Sequence, residues 1–369
     1  MIYADNAATT ALYPEVFEVM KQYCLTDYGN PSQPYSFSRG AKAALAKARE
    51  DIAECINAEP SEIYFTSGGT ESDNWAIKGL VSEWKTILTS MTEHKAVLNS
   101  CSAMERKGIP VAYLPVDRTG VLQPETLDSF ISDTALLVSV MLANNETGTI
   151  QPIAELAETA HSHCAFFHTD AVQALGHITV DVRALGVDML SGSAHKFGGP
   201  KGVGFLYVKS GTPLGAFADG GSQERGLRAG TENVAAIAGM AAALKKSCAD
   251  MKANAEKLRR LERDLLAEIK GTDYIRNGGG VPGNMSLSFR GFEGEMLLHR
   301  LDLMGVCVST GSACDSTRTQ ISHVLDAMGV PEEYALGTIR VSFGAQNSDN
   351  DGKLVGQKLL KIIYRNTMA

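Results

Sequence analysis

The sequence predicts an α/β protein built on a mostly parallel sheet, and three observations carry that reading. Apolar runs of strand length alternate along the chain with segments of helical periodicity, the pattern of strands covered by helices on both faces. Those strand runs are continuously apolar, as in ALLVSVML (135–142), rather than alternating apolar and polar, which marks burial on both sides. Finally, 369 residues with 44% hydrophobic and 21% charged side chains suffice for a large core and a second, smaller domain.

The elements follow in order. From Ala41 to Ala58 an amphipathic helix carries Leu45, Ala48, Ile52 and Ile56 on one stripe. EIYFTS (62–67) is a strand that leads into a helix from about Glu71, and TILTS (86–90) is a second strand. ALLVSVML leads to the helix IAELAETAHSH, and AFFHTD (165–170) is a strand ending on an aspartate. MLSGSAHK and GVGFLYVK form a pair with polar residues at their junction. A second amphipathic helix runs from about Lys252 to Lys270, with Leu258, Leu261, Leu265 and Ile269 at steps of three and four. The smaller C-terminal domain begins in or just before it. The glycines at 278–280 mark a loop.

Charge and cysteine usage narrow the function classes. A net charge of −8 without a Lys/Arg run gives no electrostatic footprint for nucleic acid. The N-terminus lacks the basic and apolar regions of a signal peptide, and no apolar run is long enough to cross a bilayer. Seven scattered cysteines without a C-x-x-C pair argue against a disulfide framework and a structural zinc site. The expectation is a cytoplasmic enzyme or binding protein with reduced thiols.

Four segments bring polar groups to strand ends, where open α/β sheets bind ligands. In TSGGTESDN (66–74) two glycines permit a tight turn, and Gly69 and Thr70 open a helix whose free N–H groups suit phosphate; the local alternative is Thr70 as a plain helix cap. Asp170, followed by Gln173, ends an apolar strand, where a carboxylate needs a cation such as a protonated ring nitrogen or an arginine. In SGSAHKFGGPKGVG (191–204), Ser193, His195 and Lys196 lie between strands, and Lys196 is a candidate Schiff-base lysine, because burial tunes amines readily. His94, in TEHKAVL, carries little weight alone. GGGVPG (278–283) lacks the strand–turn–helix setting of a dinucleotide site, and HSHC (161–164) matches no metal spacing.

Taken in order, TSGGTESDN, EH, NNETG, TDAVQ, SxHK, RAGTEN and TGSAC resemble the motifs of the NifS/IscS-type cysteine desulfurases, in the class V aminotransferase group. The resemblance runs from YADNAATT (3–10) to SHVLDAMG and IRVSFG, nearly the whole chain. It implies the fold-type I pyridoxal phosphate architecture: a mostly parallel seven-stranded sheet in a large domain (15–255), and a smaller α+β domain formed by 1–14 plus 256–369. It implies Lys196 as the Schiff-base lysine and Asp170 as partner of the pyridinium nitrogen. Gln173 would reach the ring hydroxyl, and His94 would stack on the ring and assist proton transfer. Gly69, Thr70, Ser193 and His195 would hold the phosphate. Thr231 would reach the partner subunit's phosphate in a homodimer, although locally it reads as the cap of a helix from Glu232. Asn145 and Arg340 would bind the substrate carboxylate, a task suited to a planar guanidinium.

Under this resemblance Cys314 takes sulfur from L-cysteine as a persulfide and passes it to an acceptor protein, for iron–sulfur clusters or thio-modified molecules. The seven residues DSTRTQI between Cys314 and SHVL resemble the long loop of the NifS/IscS branch. Asp315 departs from the Ser or Thr common after this cysteine, and a neighbouring carboxylate disfavours the thiolate. Tyr35 stands where many relatives carry histidine. The chain ends soon after its last helix, where some relatives carry a longer scaffold-docking tail, so the acceptor is open. The alternatives are a selenocysteine lyase, an aminotransferase of the same fold, which needs no thiol, and an inactive partner protein.

Overall fold

The computed structural model describes residues 1–80, 85–310 and 321–367, with side chains to 364. Its strands in chain order are β1 (Ile2–Tyr3), β2 (Ile63–Thr66), β3 (Thr86–Ser90), β4 (Val111–Leu114), β5 (Ala135–Ser139), β6 (Phe166–Asp170), β7 (Met189–Ser193), β8 (Gly204–Val208), β9 (Tyr274–Asn277), β10 (Asn284–Phe289), β11 (Val306–Cys307) and β12 (Thr338–Ser342). Seven form one sheet in the order β2-β8-β7-β6-β5-β3-β4. Only β8 runs against its neighbours, pairing antiparallel with both β2 and β7. The expected α/β class and seven-stranded, mostly parallel sheet therefore hold.

The continuous apolar runs have a direct cause. Successive side chains of a strand point to opposite faces, and here both faces are covered. Ile87, Leu137 and Met189 join a core with Trp75, Ile77 and Val97. Their neighbours Leu88, Val138 and Leu190 join a second core with Ile52, Ile56 and Ala236–Leu244. A third core fills the space beneath β12-β10-β9, where Met285, Leu287, Ile339 and Val341 meet Leu258, Leu261, Leu265 and Ile269.

Several element bounds differ from the sequence reading. The amphipathic helix expected from Lys252 to Lys270 is one helix of 35 residues, Val234–Glu268. Residues 236–244 of it are rich in alanine and almost all buried, so this part shows no one-sided stripe. The expected boundary at 255/256 falls inside this helix. The helix after β2 starts at Gly69, not Glu71. Strand β5 ends at Ser139 rather than near residue 142, although Val140 N and Leu142 N still donate to the His168 and Asp170 carbonyls. The residues 278–283 form no regular element, and HSHC ends the helix Ile153–Ser162.

The N-terminal segment ties the parts together. β1 pairs with β11, Asn6 Nδ2 donates to the Ser342 carbonyl at 2.9 Å, and Thr10 N donates to the His195 carbonyl at 2.9 Å. The six cysteines among the described residues are free thiols.

Candidate functional site

Four of the chemistry-bearing segments leave the carboxyl ends of β3, β5, β6 and β7, and this common origin brings them together. His94 follows β3, Asn145 follows β5, Asp170 ends β6, and Ser193, His195 and Lys196 end and follow β7. They line one cavity of about 380 Å3 with Gly69, Thr70, Gln173 and Arg340. Ala7, Ala8, Asp73, Ser309 and Thr310 complete part of its wall.

At one end lies an anion cup. The helix Gly69–Gly79 opens on Gly68 at φ +151°, a backbone suited to glycine. A Cβ on Gly69 would stand 2.6 Å from Val172 Cγ2, so glycine lets the helix start approach the turn after Asp170. The first N–H groups of a helix have no partner within it and carry the positive end of its dipole. The hydroxyl-bearing Thr70 and Ser193 line a groove at this helix start with His195 and Lys201. His195 Nδ1 lies 3.1 Å from Thr9 Oγ1, and burial beside Lys196 and Lys201 lowers His195 to about 4, which leaves a neutral ring. Thr70 is not the helix cap, because Gly68 holds that position.

At the other end lie the titratable groups. Lys196 Nζ donates to the carbonyls of Ala7 and Ala8 at 2.6 and 2.9 Å. Burial, with the Arg340 charge nearby, lowers its amine to about 8. Burial pushes the Asp170 carboxyl up, while His94, the Val172 N–H and Lys196 hold it back. Its Oδ1 accepts the Val172 N–H at 2.9 Å. Burial likewise lowers the His94 imidazole. His94 Nδ1 accepts the Ala96 N–H at 3.1 Å and caps the helix Lys95–Glu105, so in the neutral ring Nε2 carries the proton.

Arg340, on β12, donates from Nη2 to Asp5 Oδ1 at 2.7 Å and from Nη1 to the Asn145 carbonyl at 2.9 Å. Its Nε is buried without a partner. A cationic donor left unsatisfied at a cavity wall suits a ligand carboxylate. Gln173 Nε2 donates to the Ala7 carbonyl at 2.9 Å.

One expected residue, Thr231, is not in this cavity. It lines a neighbouring one with Ser67, Gly202 and Arg228. It is not a helix cap, because Asn233 accepts the Ala236 N–H and the helix starts at Val234. Cys314 and Asp315 lie outside the described residues. Sequence reasoning gave no role to Asp5, the Ala7 and Ala8 carbonyls or Asp73. The YADNAATT motif was the available signal for the first three, and nothing separated Asp73 from its neighbours in TSGGTESDN.

The cavity suits pyridoxal phosphate on these grounds: an N–H cup for a phosphate, an amine tuned toward neutrality, and a buried carboxyl at the end of β6 on the same wall. A sequence model of the aminotransferase class-V family matches residues 2–355. The cysteine desulfurase IscS of Dictyoglomus turgidum is 48% identical over 373 aligned positions, covering 99% of this chain and 95% of that protein. The IscS of Clostridium botulinum is 46% identical, covering 98% and 94%. A solved NifS-like protein superposes with a TM-score of 0.93 at 36% identity, covering 99% of both chains.

Proposed function

The chain belongs to the class-V aminotransferase family, and from that premise we propose that it is a pyridoxal phosphate-dependent L-cysteine desulfurase. The carrying observation is the convergence of Lys196, Asp170, His94 and Arg340 on one cavity whose wall includes Thr310, four residues before Cys314. Bound through Lys196, the cofactor supplies an electron sink for the α-carbon of the amino acid.

The chain's own residues do the rest. Gly69, Thr70, Ser193 and His195 would hold the phosphate, Asp170 would keep the proton on the ring nitrogen, and Gln173 would reach the ring hydroxyl. Arg340 and Asn145 bind the cysteine carboxylate and so orient its α-carbon. The Lys196 amine, lowered to about 8, has a neutral fraction able to attack an aldehyde near neutral pH. His94, neutral with its proton on Nε2, moves protons at the cavity mouth. The Cys314 thiolate attacks the substrate sulfur: the Cβ–S bond breaks, an S–S bond forms, and its electron pair leaves with carbon, which is protonated to alanine. L-cysteine plus the Cys314 thiol thus gives L-alanine plus the persulfide, with no further reactant.

The placement of Thr231 away from the main cavity of its own chain supports a homodimer in which it reaches the partner's phosphate. We further propose a large domain of 15–255 and a smaller one of 1–14 plus 256–369, supported by the separate core beneath β12-β10-β9. Among the described residues no helix is long and apolar enough to cross a membrane. We place the enzyme in the cytoplasm, as a sulfur donor to an acceptor protein of iron–sulfur cluster or thio-cofactor assembly.

The test measures alanine and persulfide with cysteine and selenocysteine side by side. Cys314→Ala should keep the visible cofactor band and lose desulfuration, and Lys196→Ala should lose the band. Desulfuration at the parent rate by the Cys314 variant would remove the nucleophile assignment, and a protein that never takes up pyridoxal phosphate would sink the reading. Greater activity on selenocysteine would move the substrate to the selenium analogue.

A further inference from the structure

The floor of the cavity holds a second buried carboxyl. Asp73, on the helix Gly69–Gly79, is 1% exposed, and Asp170 is 5% exposed. One oxygen of each and a ring nitrogen of His94 lie within 4.8 Å of one another. Asp73 Oδ1 has no hydrogen-bond partner although it is fully enclosed. Two ionised carboxylates this close in a dry site repel strongly, so one holds a proton.

The surroundings decide which. Asp170 faces the Lys196 amine and accepts the Val172 N–H, both of which favour its anion. The same His94 ring reaches Asp73 but, being neutral, brings it no charge, and no lysine or arginine acts on Asp73 among the described residues. Its neighbours are Asp170, Glu93, the Ser191 hydroxyl and His168. His168 is completely buried, with Nε2 3.0 Å from Ser191 Oγ and 3.7 Å from Asp73 Oδ1, and Nδ1 2.9 Å from Ser139 Oγ. Burial holds its ring neutral, lowered to about 3, so it supplies no positive charge. Glu93, whose two oxygens both accept the Met141 N–H at 3.0 Å, adds a further acid on the same side. Along Ser191–His168–Ser139 each hydroxyl and the imidazole can reverse their donor roles, so this chain can meet Asp73 either neutral or ionised. Hydrogen bonding is therefore indifferent, and the charge environment selects the neutral acid.

Asp73 also occupies a mechanical position. It sits one turn into the helix whose first N–H groups form the anion cup, and its Ser191 partner lies in β7 beside Asp170 of β6. Its contact thus links the phosphate end of the cavity to the ring-nitrogen end.

Resting on the function proposed above, we infer that Asp73 is a positioning residue that acts as a neutral acid: it docks the anion-cup helix onto β7 and leaves Asp170 as the single anion facing the cofactor ring nitrogen. The prediction that separates this from an anionic role is rescue by the neutral isostere. Asp73→Asn should bind pyridoxal phosphate within about threefold of the parent, with an unchanged visible band across pH. Asp73→Ala, which drops the contact, should bind about tenfold or more weakly.

Infrared difference spectroscopy of parent minus Asp73→Asn, on the cofactor-free protein, gives a second readout. It should show the carbonyl band of a protonated carboxylic acid, and this holds even where Asp73→Ala fails to fold. A carboxylate band in its place, or an Asp73→Asn variant as weak as Asp73→Ala, overturns the inference. Failure of the parent itself to bind pyridoxal phosphate overturns the function and leaves the infrared result to judge Asp73 separately.

Discussion

The Lys196 amine is bound by two backbone carbonyls in place of a carboxylate. Carbonyls hold an ammonium without supplying a full charge, so burial wins and the amine falls to about 8. A neutral amine is the form that attacks an aldehyde. The rate at which cofactor-free protein takes up pyridoxal phosphate should therefore rise with pH and level off above about 8, followed at the visible band by stopped flow. A flat profile between pH 6 and 9 would contradict the assignment. Residues of this kind were legible in sequence, because Lys196 sits among glycines and small side chains and Asp170 ends an apolar strand. Asp73 was not: its importance comes from the distance to Asp170, made by a helix packing over a sheet, and no local pattern carries that.

At the scale of elements, the loop after β5 is joined to the helix His323–Ala327 by one buried contact. Ser322 caps that helix by accepting the Val324 N–H, and its hydroxyl donates to Glu146 Oε2. Glu146 is 6% exposed, and burial raises it from 4.5 to about 7 against the pull of Ser322, Arg340 and Lys95. The folded protein thus binds this proton more tightly than the unfolded chain. The stability contribution is complete below pH 4.5 and lost as pH rises through about 7, amounting to roughly 3 kcal/mol. Urea unfolding of the cofactor-free protein should show this decline from about pH 5 to 8, and Glu146→Gln should flatten it; an equal slope in both proteins would discount Glu146.

Element bounds read from sequence failed where burial was symmetric. The helix Val234–Glu268 shows a stripe only in its second half, where one side meets the core of the smaller sheet, and so only that half was recognised. The strands, by contrast, were legible because both faces of the sheet are apolar, and β5 was read too long for the same reason: residues 140–142 stay buried after the ladder ends.

The whole molecule meets at Arg340. The guanidinium comes from β12 of the smaller sheet, Asp5 from the N-terminal segment, and the Asn145 carbonyl from the loop after β5 of the large sheet. Three regions distant in sequence thus converge on one cation, and Asp5 is the only carboxylate bonded to it among the described residues. Asp5 engages Nη2 and the Asn145 carbonyl engages Nη1, while Nε stays buried and unpaired. Asp5→Asn keeps an acceptor of similar shape but removes the charge, so the buried guanidinium loses its counter-ion. The expected cost is about 2 kcal/mol of stability, measured by thermal or urea unfolding. Because Arg340 is also the residue proposed to take the cysteine carboxylate, its misdirection should raise KM several-fold while kcat falls less, with the visible cofactor band intact. Unchanged stability together with an unchanged KM would mean that the convergence holds the fold together without shaping the site; a lost cofactor band would mean that Asp5 acts on the Lys196 end of the cavity instead, through the Ala7 and Ala8 carbonyls two and three residues further along the chain.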